Sequence, residues 1–77
     1  MMKEHDRLVL TGDLPEEGLK AGDVGTVAHV HRGGEAFEVE FVALDGHAVA
    51  VATVRASHVR AVTPRDIAPA RHREIAV

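Results

Sequence analysis

Histidines and acidic residues near the middle of the chain are the densest set of groups able to do chemistry. The chain has 77 residues, six of them histidine, and no cysteine. His29 and His31 are two apart on a predicted strand, so both imidazoles point to one face, and Glu38 of the next strand is expected beside His29. Two histidines and a carboxylate are a common metal-ligand set. The sequence supplies no group that would orient the rings. We therefore predict that this face is solvated and that it holds no cofactor and no metal. His29 and His31 are the residues that would be tested as metal ligands.

Catalytic constellations are the next class to weigh. A nucleophile needs a base beside it in a cleft, and the only serine, Ser57, precedes His58 in a predicted turn where adjacent side chains point apart. Glu38 and Glu40 share a strand face, but no enclosed pocket is expected to raise the pKa of either. The segment GDVGTV (residues 22–27) precedes a strand and opens no helix, so it is not a phosphate loop. We therefore predict no enzymatic activity.

Length and composition bound the remaining functions. A chain of 77 residues makes one small domain, and without cysteine it has no disulfide to strengthen a small core. We therefore expect self-association. No apolar run approaches the ~18 residues that cross a bilayer, and the N-terminus MMKEHDRLVL lacks the layout of a secretory signal. The expected location is the cytoplasm, with no membrane partner.

Charge is unevenly distributed along the chain. The net charge is −3; residues 1–47 hold ten acids against four Lys/Arg, and residues 48–77 hold two acids against five arginines. An acidic first half disfavours binding to a phosphate backbone. The arginine-rich end leaves a nucleic-acid surface open as an alternative, with Arg55, Arg60 and Arg65 as its candidate residues.

The hydrophobic pattern predicts an all-β fold of five short strands. Turn residues separate apolar runs that alternate with polar ones, and the pairs Gly33-Gly34 and Asp45-Gly46 each predict a two-residue hairpin loop, the second of type I′. Thr63, Pro64 and Asp66 favour a helical turn, which Pro69 keeps short. We expect a β domain over residues 1–62 and a tail over 63–77 that can be helical. The predicted strands are residues 7–10, 24–31, 36–42, 48–54 and 59–62, with one 3₁₀ turn over 55–58.

Pairing the strands about these loops predicts the core. Phe37, Val39 and Phe41 share the inner face with Ala28 and Val30. The predicted strand 48–54 places Ala50 opposite Phe41, Ala52 opposite Val39 and Val54 opposite Phe37. Both phenylalanines are therefore expected to be buried.

The same register leaves valines on the outer face. Val42 is predicted opposite Val49, and Val51 opposite Glu40 and next to Val27. Two interpretations remain open: barrel curvature or the tail residues Ile67, Ile75 and Val77 cover these valines, or the valines form a protein interface. For the interface the candidate contact residues are the four valines with four acids: Val27, Val42, Val49, Val51, Glu38, Glu40, Glu16 and Glu17.

The segment Leu19–Phe41, LKAGDVGTVAHVHRGGEAFEVEF, carries a resemblance. It resembles an uncharacterised bacterial family of small proteins with the pattern GDxGTVxxVxxGGxxxxVEF, and residues 13–62 match that family. Its first part is also similar to KOW elements, with Gly22, Asp23 and Gly25 at the corresponding positions. The resemblance implies a small SH3-like barrel with five strands. His31 stands where an aromatic residue is expected, and the tail from Thr63 onward lies outside the resemblance.

The function that the resemblance implies is binding rather than catalysis. Members of that family resemble small partner-binding modules, and some appear beside nuclease-like toxins, which fits an antitoxin or immunity role. A surface rich in acids would attract a basic protein partner. We therefore expect a non-catalytic protein-binding module, with a KOW-like nucleic-acid-binding module as the alternative.

Overall fold

The structure is a computed structural model that describes residues 2–67 and 70–71. All five strands predicted from the sequence are present, as is the 3₁₀ turn before the last strand. A second 3₁₀ turn, at Pro15–Glu17, lies in the loop after the first strand. The strands are β1 (Arg7–Leu10), β2 (Val24–His31), β3 (Ala36–Val42), β4 (Ala48–Arg55) and β5 (Val59–Ala61), and the 3₁₀ turn before β5 is Ala56–His58.

The five strands form one antiparallel sheet in the order β4-β3-β2-β1-β5. The all-β fold is confirmed. The sheet is not closed, because β4 and β5 pair on one side only and are its two edges. None of the described residues lies in an α-helix.

The core lies on one face of this sheet. Both phenylalanines are buried, and the predicted register of β3 and β4 is confirmed over most of its length: Phe41 pairs with Ala50, Val39 with Ala52 and Phe37 with Val54. A large side chain opposite a small one fills the layer without voids. The buried core cluster is Leu8, Leu10, Leu19, Val27, Phe37, Val39, Phe41, Ala52, Val54 and Val59.

A β-bulge in β2 overturns part of the predicted register. His29 pairs with Glu38 as predicted, but Val27 pairs with Val39, so Ala28 is an extra residue without a counterpart on β3. A bulge shifts the alternation of side chains by one residue. Val27 is therefore fully buried in the core and Ala28 is exposed. The prediction that Val27 lies on the outer face is wrong.

A second bulge lies in β4. Phe41 pairs with Ala50 and Val42 with Ala48, so Val49 is the extra residue there. Val49 is half-buried and packs against the core. The predicted pairing of Val42 with Val49 is wrong for the same reason as in β2.

The two hairpin loops also differ from the two-residue prediction. Four residues, 32–35, separate β2 from β3, and the amides of Gly34 and Glu35 both donate to the His31 carbonyl oxygen, at 3.0 and 3.2 Å. In the second loop the Gly46 amide donates to the Ala43 carbonyl at 2.9 Å, so Gly46 is the last residue of that turn. Gly46 has φ of 93° but Asp45 has no positive φ, which excludes the predicted type I′ turn.

The tail begins with a single turn and no helix over residues 62–67. The Asp66 carboxylate accepts a bond from the Thr63 amide at 2.6 Å, and the Thr63 hydroxyl oxygen accepts one from the Arg65 amide at 3.3 Å. Ile67 is exposed, so it does not cover the outer valines. Pro69, Ile75 and Val77, which the sequence analysis also invoked, lie outside the described residues.

Gly25 leaves room on β2 for two side chains of β3. It is buried, and a Cβ there would lie against Val39 Cγ1 and 2.8 Å from Phe41 Cε1. Its φ is not positive, so the space left by the missing side chain, rather than backbone freedom, is what this position requires.

We expect Gly25→Ala to lower the free energy of unfolding by about 1–3 kcal/mol, because the added methyl group overpacks the core. Urea unfolding measures this. Gly12 is the matched control: it has no atom within 4 Å of its Cβ position, and its substitution by alanine is expected to change stability by less than about 0.5 kcal/mol. Equal effects at the two sites would contradict the packing argument.

Candidate functional site

One end of the β3–β4 hairpin carries large apolar side chains that are open to solvent. Val42 is 43% exposed, Val51 is 54% exposed and Leu44, in the turn, is 91% exposed. Val51 pairs with Glu40, as predicted, and Glu40 is also exposed. We call Val42, Leu44, Val51 and Glu40 the hairpin patch.

The hairpin patch keeps two of the four valines chosen from the sequence. Val42 and Val51 belong to it, whereas Val27 is in the core and Val49 packs against the core. Leu44, which lies between the predicted strand 36–42 and the predicted loop Asp45-Gly46, was not among the candidates. Its signal is that a leucine stands directly before Asp45-Gly46, where polar residues are the usual choice.

The candidate acids lie on different elements of the fold. Glu38 is half-buried and pairs with Thr53, in the row next to Glu40 and Val51. Glu16 and Glu17 lie in the 3₁₀ turn of the loop between β1 and β2. Since β2 pairs with β1 on one side and with β3 on the other, that loop starts from the side of the sheet remote from β4.

The histidine pair has the predicted proximity. The rings of His29 and His31 meet edge to face with centroids 4.7 Å apart, and His29 Nδ1 lies 3.8 Å from Glu4 Oε2. Glu38 pairs with His29 in the ladder. Within residues 2–67 and 70–71 no group of three or more histidines and acids is placed to hold a metal ion.

The candidate arginines differ in what they contact. Arg60 forms a bidentate pair with Asp66, with Nη2 at 2.7 Å from Oδ1 and Nη1 at 3.0 Å from Oδ2. This guanidinium, with the Thr63 amide, holds the pKa of Asp66 well below its usual value. Arg55 and Arg65 are exposed.

Ser57 and His58 occupy the 3₁₀ turn predicted for them, and both are exposed. The backbone carbonyl of His58 accepts a bond from the Thr11 amide at 2.8 Å, which ties this turn to the end of β1. The turn joins β4 to β5, so Ser57 and His58 have a structural role in this connection.

Asp23 has a local partner and a distant one. Its carboxylate accepts a hydrogen bond from the Lys20 amide at 2.9 Å. The Arg71 guanidinium also binds the Asp23 carboxylate: its Nε lies 2.9 Å from Oδ1 and its Nη2 contacts Oδ2. The same Nη2 lies 3.0 Å from the Gly18 carbonyl oxygen. A pair separated by 48 residues leaves no local sequence signal.

Comparison with known families covers most of the chain. Residues 4–61 match a domain of unknown function, DUF4926. The chain belongs to this family. No curated protein matches the chain, and no solved structure does. The match ends at Ala61, the last residue of β5. In the part of the chain that the structure describes, no helix has the length and apolar character needed to span a bilayer.

Acid should weaken the fold through Asp23. Burial raises the pKa of this carboxyl, but the bonds from Arg71 and the Lys20 amide outweigh burial, and the pKa lies below its usual value of 3.8. A lowered folded-state pKa adds stability above the unfolded pKa, and this stability is lost as pH falls through the folded value. The contribution is therefore complete at neutral pH, begins to decline as pH approaches the usual value of 3.8, and is lost as pH falls through the lower folded-state pKa.

We expect Asp23→Asn to be less stable than the wild type at pH 7 and to lose less stability between pH 5 and pH 2. Thermal unfolding across this range measures both effects. The control is Glu16→Gln, which removes an exposed carboxylate and is expected to lose as much stability between pH 5 and pH 2 as the wild type does. Equal losses of stability in the wild type and Asp23→Asn over this range would contradict the assignment.

Proposed function

We propose that this protein is a non-catalytic protein-binding module that binds through the hairpin patch. One of its two proposed partners is a second copy of the chain. The observation that carries the proposal is the exposure of Val42, Leu44 and Val51 at one end of one hairpin. Large apolar side chains that are grouped and open to solvent favour a contact surface.

The position of β4 supports association by strand pairing. It is an eight-residue edge strand, so one row of its backbone N–H and C=O groups faces away from the sheet. Beyond the bulge at Val49, its outward side chains are Val51, Thr53 and Arg55. An edge strand with so little charge is a template for another strand.

Two copies of β4 can pair without electrostatic conflict. In an antiparallel pair related by a two-fold axis through Ala52, Val51 of one copy lies opposite Thr53 of the other. Arg55 then lies opposite position 49, so the two arginines do not face each other. The bulge at position 49 limits regular pairing about this axis to residues 50–54, which favours a weak, concentration-dependent dimer.

We expect the wild type to show a mass above 8.2 kDa that rises with concentration in sedimentation equilibrium. Val51→Lys should remain a monomer, because a lysine on an edge strand opposes strand pairing, while Glu40 opposite accommodates its charge in the folded chain. The control Ser57→Lys adds the same charge at an exposed site outside the hairpin patch and should associate like the wild type. A monomeric wild type, or equal masses for wild type and Val51→Lys, would overturn the proposal.

A basic protein is the second partner that we propose, in line with an antitoxin or immunity role. The net charge of −3 and the exposed acids Asp13, Glu16 and Glu40 support it. Such charges raise the rate of encounter with a basic surface more than they strengthen the final complex.

The SH3-like architecture is part of the same proposal. The strand order, the long loop between β1 and β2, and the 3₁₀ turn directly before β5 support it. Gly22, Asp23 and Gly25 lie at the start of β2, where the signature GDxGTVxxVxxGGxxxxVEF places them. Small barrels of this type bind peptides or nucleic acids, which is why the KOW-like alternative needs a direct test.

We expect no binding of single-stranded RNA or double-stranded DNA at 50 mM salt, because Arg60 is paired with Asp66 and both phenylalanines that could stack on bases are buried. Fluorescence anisotropy measures this. Binding that falls steeply with salt and is abolished by Arg55→Glu would establish the nucleic-acid function in place of the one proposed.

A further inference from the structure

The loop between β1 and β2 holds a guanidinium group. Arg71 donates from Nε to Asp23 Oδ1 at 2.9 Å, while its Nη2 contacts Asp23 Oδ2 and lies 3.0 Å from the Gly18 carbonyl oxygen. The Asp13 carboxylate is held against the turn that leads to Asp23, because it accepts a bond from the Ala21 amide at 2.9 Å. We call the carboxylates of Asp13 and Asp23 and the carbonyl of Gly18 the arginine cradle.

Contacts that do not involve Arg71 fix the Asp23 side of the arginine cradle. The Asp23 carbonyl accepts a bond from the Leu10 amide at 2.9 Å, and the Asp23 amide donates to the Lys20 carbonyl at 3.0 Å. The Lys20 amide in turn donates to Asp23 Oδ2 at 2.9 Å, which orients the carboxylate. The carboxylate therefore keeps its place when Arg71 leaves.

The Gly18 carbonyl is held by the fold of the same loop. Gly18 follows the 3₁₀ turn Pro15–Glu17 with φ of 69°, and its amide donates to the Pro15 carbonyl at 3.1 Å. The next residue, Leu19, is buried and forms two backbone hydrogen bonds with Leu14, at 2.9 and 3.0 Å. Acceptors that are already in place lose little conformational entropy when a donor binds, which favours binding.

The acceptors fit a guanidinium better than an ammonium group. Two nitrogens of one planar group reach the two carboxylate oxygens of Asp23, and one of them also reaches the Gly18 oxygen. A guanidinium presents its N–H donors in a rigid fork that matches a carboxylate, whereas an ammonium acts as a point charge. The bonds to Asp23 raise the pKa of the Arg71 guanidinium despite the cost of burial, and the charge of Asp13 raises it further. The arginine cradle therefore selects arginine side chains.

The arginine cradle and its occupant belong to different parts of the chain. Residues 4–61, which match the DUF4926 family, include all three acceptor groups, whereas Arg71 lies beyond the end of that match. Arg71 belongs to no strand and its side chain is 31% exposed, so it can leave the cradle without disturbing the core. An arginine of another protein presents the same group to the same acceptors.

We propose that the arginine cradle binds an arginine side chain of the basic protein partner, and that Arg71 fills the cradle until that arginine displaces it. The identity of this ligand rests on the proposed function, which supplies a basic protein as a partner. Glu16, exposed in the turn just before Gly18, adds negative charge that steers a basic segment toward the cradle. Displacement exchanges one arginine–carboxylate pair for another, so no charge is left without a partner in the cradle.

The test uses the full-length Arg71→Ala variant, with blocked arginine (Nα-acetyl-arginine amide) as the probe. We expect the amide resonances of Gly18 and Lys20 to shift saturably, with an affinity in the millimolar range that is typical of a ligand of this size. The wild type should bind the probe about tenfold more weakly, because its tethered Arg71 competes at a high local concentration. Equal affinities, or no saturable shift in Arg71→Ala, would overturn the proposal.

A matched ligand and a matched variant serve as controls. Blocked lysine carries the same charge and should bind Arg71→Ala about tenfold more weakly than blocked arginine, because it cannot form the bidentate pair. Arg65→Ala removes a different exposed arginine of the tail and should bind blocked arginine as weakly as the wild type does. Equal affinities for the two probes, or equal effects of the two substitutions, would overturn the proposal.

Arg71→Lys replaces Arg71→Ala if the alanine variant does not fold. It keeps the charge of the tail but cannot form the bidentate pair. Blocked arginine should therefore bind Arg71→Lys several times more tightly than it binds the wild type. No gain in affinity over the wild type would overturn the proposal.

Failure of the arginine cradle is distinguishable from failure of the proposed function. The hairpin patch is tested by sedimentation equilibrium, and the cradle is tested by the titration with blocked arginine. A chain that self-associates but shows no arginine binding in Arg71→Ala would overturn the cradle alone. Arginine binding by a chain that stays monomeric would support the cradle and overturn the proposed dimer.

Discussion

The packing of two β3 side chains against β2 at Gly25 is the constraint on which the rest of the structure depends. Val39 and Phe41 occupy the space that a side chain at position 25 would need, and they meet Val27 in the same layer. The bulge at Ala28 follows from this packing, because it keeps Val27 inside while Val30 and Phe37 remain paired toward the core. Burial of Val27 strengthens this small core, since each buried aliphatic side chain adds about 1.5–3 kcal/mol.

The two bulges together decide which apolar groups are left on the surface. They draw Val27 and Val49 toward the core and leave Val42 and Val51 outside, next to the exposed turn residue Leu44. Three of the exposed large apolar side chains in the described residues, Val42, Leu44 and Val51, thereby lie at one end of the β3–β4 hairpin, and the others are Val62 and Ile67. The open sheet edge beside that end is the basis of the strand pairing that we propose.

The acidic residues serve the fold as much as the surface. Four aspartates accept bonds from nearby backbone amides, and the pKa of each lies below its usual value: Asp6, Asp23, Asp45 and Asp66. Two of them, Asp23 and Asp66, also bind arginines of the second half of the chain. The Asp23–Arg71 pair joins the acidic first half to the arginine-rich end, whereas the Asp66–Arg60 pair lies within that end, and each pair reduces the charge offered to a partner.

The sequence by itself determined the five strands, the burial of both phenylalanines and the 3₁₀ turn before β5, because each follows from local alternation and from turn residues. It also placed His29 beside Glu38, because this pair lies between a hairpin loop and the nearest bulge. It placed Val51 beside Glu40 because the longer second loop and the bulge at Val49 offset each other in the register. Only the tertiary structure decided the inward position of Val27 and Val49 and the contact between Arg71 and Asp23. A bulge is set by how side chains from three strands fill one layer, and an ion pair across 48 residues forms only after the sheet has brought its partners together, so neither leaves a periodic signal in the chain.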